Sequence, residues 1–209
     1  PRLDVWGISD KNLFLESTKV LAKETKPFFA VIQTADNHRP YTIPEEDTDF
    51  VVRTTTEDSL NRFGFSDQVN YSLKLKEYNA FRYTDYTFQQ FMQAAAREKY
   101  FDNTIFVFVG DHGIPGDAGT MFSPAWTAQR LAAEHVPLLF YSPRLLPAHR
   151  NSIICSQVDI MPTIAGFCTG SFTNTTLGRN LLDSNHRHPF AFIFDPDQQQ
   201  SGVIMGDYY

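Results

Sequence analysis

An aspartate and a histidine stand side by side at Asp111-His112, flanked by Gly110 and Gly113. A carboxylate suits hard or borderline divalent cations, and an imidazole extends the choice to manganese and zinc, so the pair can share one ion. The two glycines remove side-chain bulk, which lets the backbone turn sharply and a large ligand come close. A second polar cluster is Thr34-Ala35-Asp36-Asn37-His38-Arg39-Pro40-Tyr41. There His38 can hydrogen-bond a substrate oxygen or donate a proton to a leaving group. Arg39 can grip a phosphate or sulfate through two parallel N–H bonds. His135 precedes an apolar run, which puts it at the wrong end of a strand for a site at the carboxyl edge. His149, His186 and His188 fall in polar turns. The chain carries no Ser-His-Asp arrangement, P-loop, dinucleotide fingerprint or Cys-x-x-Cys pair.

Both clusters need elements to aim them. Ile105-Phe106-Val107-Phe108-Val109 is a short apolar run of β-formers and predicts a fully buried strand that delivers Asp111 and His112. In open α/β sheets ligands sit beyond the carboxyl ends of such strands. Residues 28–34, Phe-Phe-Ala-Val-Ile-Gln-Thr, predict a second buried strand, which opens the His38 cluster onto the same edge. Residues 10–25 carry Leu13, Phe14, Val20 and Leu21 at helical spacing, with Ser9 or Asp10 as the cap. A long helix is predicted over about 69–99, its apolar face made by Tyr78, Phe81, Phe88, Phe91, Met92 and Ala95, with Asp85 as a buried carboxylate on that face. Residues 114–134 read as loop plus a short helix, 136–141 as a buried strand and 152–155 as a short strand. A helix over 158–167 tolerates Pro162 in its first turn, with Asp159 capping or orienting its start. Residues 190–194 and 202–205 close the chain as a hairpin. Strands alternating with helices predict one α/β domain with a mostly parallel central sheet flanked by helices.

Composition narrows the class. The 209 residues carry 24 acidic and 18 basic side chains, a net charge of −6. No basic stripe is present, which argues against a nucleic-acid partner. Cys155 and Cys168 are too few for a disulfide framework and read as buried thiols. No apolar run approaches the ~20 residues of a membrane helix. Asn70-Tyr71-Ser72 and Asn174-Thr175-Thr176 match the glycosylation pattern, which is frequent by chance.

The order of several short motifs resembles the C-terminal part of a sulfatase-type domain of the alkaline phosphatase superfamily. These are the long helix with Tyr83-Thr84-Asp85-Tyr86, then Asp102-Asn103-Thr104-Ile105 leading to Gly110-Asp111-His112-Gly113, His135-Val136-Pro137-Leu138, Gln157-Val158-Asp159-Ile160-Met161-Pro162-Thr163, and Leu177-Gly178-Arg179-Asn180. Trp6-Gly7-Ile8-Ser9-Asp10 and His38-Arg39-Pro40-Tyr41 are most similar to the lipoteichoic acid synthase-like, phosphoglycerol transferase group of that superfamily. The resemblance implies an alkaline phosphatase/sulfatase-like fold, present as a partial domain over 1–209. It implies a metal-dependent phospho- or sulfo-ester hydrolase or transferase of the cell envelope, with a sulfatase or a non-catalytic lipid- or partner-binding relative as the alternatives. Asp111 and His112 would ligate a divalent ion, manganese first, with zinc, magnesium or calcium also possible. His38 would be catalytic and, with Arg39 and Trp6, would line the substrate site. The nucleophile and the first acidic ligand would lie ahead of Pro1, leaving this chain alone inactive. The partner would be a phospholipid or polyol phosphate or sulfate ester. Membrane anchoring would come from segments outside the chain, on the extracytoplasmic face of the bacterial cytoplasmic membrane.

Overall fold

The computed structural model describes residues 4–54, 71–114, 122–168, 170–183, 189–195 and 199–209. They form two compact units, Pro1–Pro147 and Ala148–Tyr209.

In the first unit Ser9 caps α1 (Asp10–Leu21), its hydroxyl accepting the Asn12 N–H at 3.3 Å. The predicted long helix is α2 (Tyr71–Ala95). Its inward stripe is Ala80, Tyr83, Thr87, Phe91 and Ala95, a three- and four-residue spacing that puts all five on one face. The expected buried position of Asp85 is therefore wrong. Asp85 lies two residues past Tyr83, about 200° round the helix, and is exposed. Phe81 is 48 % exposed for the same reason. Phe14 of α1 stacks on Phe91 of α2 at 4.6 Å, and Phe106 meets Phe91 edge-on at 5.9 Å. These rings and Ala95 are the core, flanked by Ile32, Phe88, Met92, Tyr100, Phe101 and Phe108.

After a 3₁₀ turn at Phe101–Asn103 comes β1 (Phe106–Val109), buried at Phe106 but 44 % exposed at Val109, not fully buried as expected. Two short helices follow, α3 (Pro124–Ala128) and α4 (Leu131–Glu134), and then β2 (Leu138–Tyr141). The expected parallel pairing is corrected here: β1 and β2 run antiparallel, Phe106 opposite Tyr141 and Val109 opposite Leu138. The chain turns back within 110–137 and re-enters beside the end it left, whereas a parallel partner would have to cross to the far end first. Residues 28–34 form no strand, and Phe29 and Val31 are 62 % and 79 % exposed. An apolar run predicts a buried strand only where neighbours supply both hydrogen bonds and cover.

In the second unit, residues 152–155 form no strand. A 3₁₀ turn (Gln157–Asp159) runs into α5 (Ile160–Phe167), with Pro162 buried in the first turn as expected. The fully buried Asp159 orients that start by accepting from Ser156 N at 3.0 Å and Arg179 N at 2.8 Å. Arg179 extends the tie, donating to Ile154 O at 2.6 Å and Phe190 O at 2.8 Å. β3 (Phe190–Asp195) and β4 (Gln200–Met205) form the predicted hairpin, Phe190 opposite Met205. Cys155 and Cys168 are free thiols, half-buried and exposed, not both buried. The Asn174 carboxamide oxygen accepts from Thr176 N and Oγ1, a local Asx turn. Asn70, His186 and His188 lie outside the described residues.

Candidate functional site

Trp6, His38 and Arg39 come together although 32 residues of chain separate the first two. The Trp6 indole lies 4.2 Å from the His38 ring, tilted by 53°, and its Nε1–H donates to Arg39 O at 2.7 Å. His38 Nδ1 is 3.0 Å from Arg39 O. A carbonyl only accepts, so Nδ1 carries the hydrogen and Nε2 is left to face a ligand. His38 and Arg39 are exposed on the loop, and the Arg39–Pro40 peptide is cis.

The loop is tied down from several sides. Tyr41 Oη donates to Glu77 at 2.9 Å and Thr84 Oγ1 to Asn37 Oδ1 at 2.6 Å, both partners pairing the loop with α2. At its entry, Asp10 Oδ1 accepts from Ala35 N at 2.8 Å and Asp10 Oδ2 from Asp36 N at 3.1 Å. Asp36 Oδ2 returns the interaction, accepting from Asp10 N at 2.8 Å. Beneath them the buried Asp47 carboxylate accepts from Lys11 Nζ and from the fully buried Tyr83 hydroxyl. Burial, aided by the neighbouring Asp10 charge, pushes the Asp36 carboxyl up to about 7, against the lowering effect of the Asp10 N–H. Burial also raises Asp10, although two backbone bonds oppose it. Tyr83 is pushed far up by burial and by its bond to Asp47. None of Asp10, Asp36, Asp47 or Tyr83 stood out in the sequence as a site residue. The signal available was Asp36 within the polar cluster and Asp10 at a helix start, both of which read as ordinary caps and turns.

The second group sits where β1 ends. His112 Nδ1 lies 2.8 Å from Gly113 O and therefore carries the hydrogen, and His112 N donates to Asp111 Oδ1 at 2.9 Å. His112 Nε2 faces Asp111 Oδ2 at 3.9 Å, with both side chains open to solvent. A ring whose far N–H is held by a carbonyl, and whose other nitrogen faces a carboxylate oxygen, suits two ligands of one cation. Among the described residues no group of three or more His, Cys, Asp or Glu side chains is gathered to hold a metal. Gly113 N donates to Ala133 O at 2.6 Å, and a Cβ on Gly113 would run into Ala132 O, so only glycine fits beneath α4.

The antiparallel pairing corrects the placement of His135. Because β2 starts opposite the end of β1, His135 lies at the same sheet edge as Asp111 and His112. There it meets Trp126 at 5.2 Å and Phe122 at 5.9 Å, both edge-on, while Phe122 and Trp126 stack at 4.1 Å. No sequence signal marked this aromatic trio, because its members come from three short segments.

A family model described as Sulfatase matches residues 1–170. Over 97 % of its length the chain is 24 % identical to the lipoteichoic acid synthase-like protein YvgJ of Bacillus subtilis. It is 25 % identical over 89 % of its length to lipoteichoic acid synthase 1 of the same organism. The chain spans only 31 % and 28 % of those two relatives. A crystal structure of an alkaline phosphatase superfamily protein from Vibrio parahaemolyticus superposes on 98 % of the chain with a TM-score of 0.67 at 20 % identity, using 51 % of that chain. Ps i-CgsB, solved with k-i-k-neocarrahexaose, superposes on 94 % with a TM-score of 0.62 at 17 % identity. These likenesses give the fold, alkaline phosphatase/sulfatase-like.

Proposed function

This chain belongs to the sulfatase family, and from that premise we propose that it is part of a metal-dependent phosphoglycerol-type transferase or phosphodiesterase of the cell envelope. The named relatives, lipoteichoic acid synthases and a synthase-like protein, favour phosphate over sulfate chemistry. The observation that carries the reading is the His112 ring, held through Nδ1 by Gly113 O with Nε2 facing Asp111. Asp111 and His112 would hold the divalent ion, manganese by preference, and the bound ion would supply a Lewis acid for the ester's oxygens. His38 presents Nε2 to the leaving oxygen and, as the imidazolium, delivers its proton there. Arg39 takes the charged oxygens of a phosphodiester as a planar fork. Trp6 fixes the His38 ring and the Arg39 backbone together, so both reach the ester in one geometry. The substrate is a phospholipid or polyol phosphate ester. No helix among the described residues is long and apolar enough to cross a membrane.

The test is turnover of phosphatidylglycerol and of a nitrophenyl phosphodiester by the full-length protein with manganese. Asp111→Ala is expected to abolish both metal binding and turnover. His38→Ala is expected to keep the metal and lose turnover by about 10²–10⁴-fold, the usual range for a general acid. Wild type that binds no metal and turns over neither phosphate nor sulfate esters would replace the enzyme with a binding domain. Turnover of sulfate esters alone would make it a sulfatase.

A further inference from the structure

We propose that Asp10 and Asp36 are paired positioning residues, which hold the 35–41 loop, and through it His38 and Arg39, against the first turn of α1. The pairing is reciprocal. Each carboxylate accepts the other residue's backbone N–H, and Asp10 also takes Ala35 N. These three bonds join the N-terminus of α1, where amides lack helical partners, to the start of the loop. The pair is 2 % and 8 % exposed, whereas His38 and Arg39, two and three residues on, are exposed. A buried clamp thus carries an exposed reactive tip. Trp6 comes from the segment just ahead of α1 and touches both reactive residues, so anything that shifts α1's start against the loop shifts Trp6 against His38.

The clamp also holds a carboxyl surrounded by other carboxylates. Facing Asp36 are Asp10 from α1, Asp4 from the leading segment and Asp47 from the stretch after the loop, all acting to disfavour its charge. Lys11 is engaged by Asp47 and sits over the Tyr86 ring at 5.5 Å. From α2 the facing groups are Tyr83, bound to Asp47, and Thr84, bound to Asn37. His38 and Arg39 complete the set from the loop itself. With Asp36 protonated the pair carries less buried charge and all three N–H bonds persist. Once Asp36 ionises, two buried carboxylates face each other and the clamp loosens. The proton leaves Asp36 for solvent.

The link to turnover rests on the functional reading above, but the clamp itself does not, so two readouts are needed on the full-length protein. The first is hydrogen exchange at the amides of Asp10, Ala35 and Asp36 between pH 6 and 8. Protection is expected to fall across that interval in wild type and to stay constant in Asp36→Asn, whose oxygen still accepts Asp10 N but which cannot ionise. Asp10→Ala is expected to lose protection at Ala35 and Asp36 at every pH. The second is the pH profile of kcat/KM on the nitrophenyl phosphodiester. Asp36→Asn should leave a shallower falling limb, because the clamp no longer loosens while His38 must still carry its proton. Asp10→Ala should lower kcat by about 100-fold, the cost of a reactive group displaced by about 1 Å. Amides equally exchanged in wild type and Asp10→Ala, or an Asp36→Asn profile identical to wild type, would overturn the proposal. Intact amide protection with no turnover in any protein would leave the clamp standing and sink the enzyme instead.

Discussion

At the scale of single residues, the buried Asp36 under the His38 loop is expected to add a pH-dependent contribution to stability. Asp36 has a folded-state value of about 7 against 3.8 for the free side chain. Between those values the folded chain holds a proton that the unfolded chain has lost. Its stabilising effect is complete below about pH 3.8, declines as pH rises, and is gone above about pH 7. Ordinary carboxylates in acceptor roles act in the opposite sense, so the difference from a variant is the clean quantity. Urea unfolding of wild type and Asp36→Asn should show wild type losing about 2–4 kcal/mol relative to the variant between pH 4 and 7. A difference that is flat with pH would mean that Asp36 titrates normally. Tyr83 gives the complementary case. Its hydroxyl is fully buried and donates to the buried Asp47 carboxylate. Tyr83→Phe removes that donor and leaves the carboxylate with Lys11 alone, at a cost of about 1–3 kcal/mol.

At the scale of elements, periodicity located α1, α2 and the β3–β4 hairpin, because each presents one continuous stripe to one partner. It erred where the partner was not local. Asp85 reads as part of the aromatic face only if every aromatic residue of α2 points inward, yet Tyr83, Thr87, Phe91 and Ala95 define the buried phase. The two phases separate in a stability measurement. Phe91→Ala, opening a void beside Phe14 and Phe106, should cost about 3–5 kcal/mol. Asp85→Asn should stay within about 0.5 kcal/mol. Strand direction was the other error. Apolar runs at 106–109 and 138–141 announce strands, but direction depends on where the intervening chain returns, which no local pattern encodes. That one fact moves His135 from the far end of a strand to the edge that carries Asp111 and His112.

At the scale of the whole molecule, the order of motifs along the chain was legible, and so was the fold family, because the family is written in short segments at fixed succession. Trp6, His38, Arg39, Asp111 and His112 were singled out by residue type, and their roles are part of the proposal. The clamp of Asp10 and Asp36 was not, since reciprocal side-chain-to-backbone bonds between positions 26 apart leave no periodic trace. The proposed metal site would need more than these two ligands. Divalent ions in protein sites take three or more protein ligands, or fill the remainder with water at a loss of affinity. Asp111 and His112 would give two, and no group of three His, Cys, Asp or Glu side chains is gathered among the described residues. The chain spans about 30 % of its curated relatives, so the remaining donors are expected from elsewhere in the full-length protein. Calorimetric titration with manganese should then show full-length protein binding at least about tenfold more tightly than the 209-residue chain, since each lost ligand weakens a site by this order or more. Asp111→Ala should erase most of that difference. Equal affinity for the two proteins would place every ligand within residues 1–209 and would single out the segments around His112 for the missing donors.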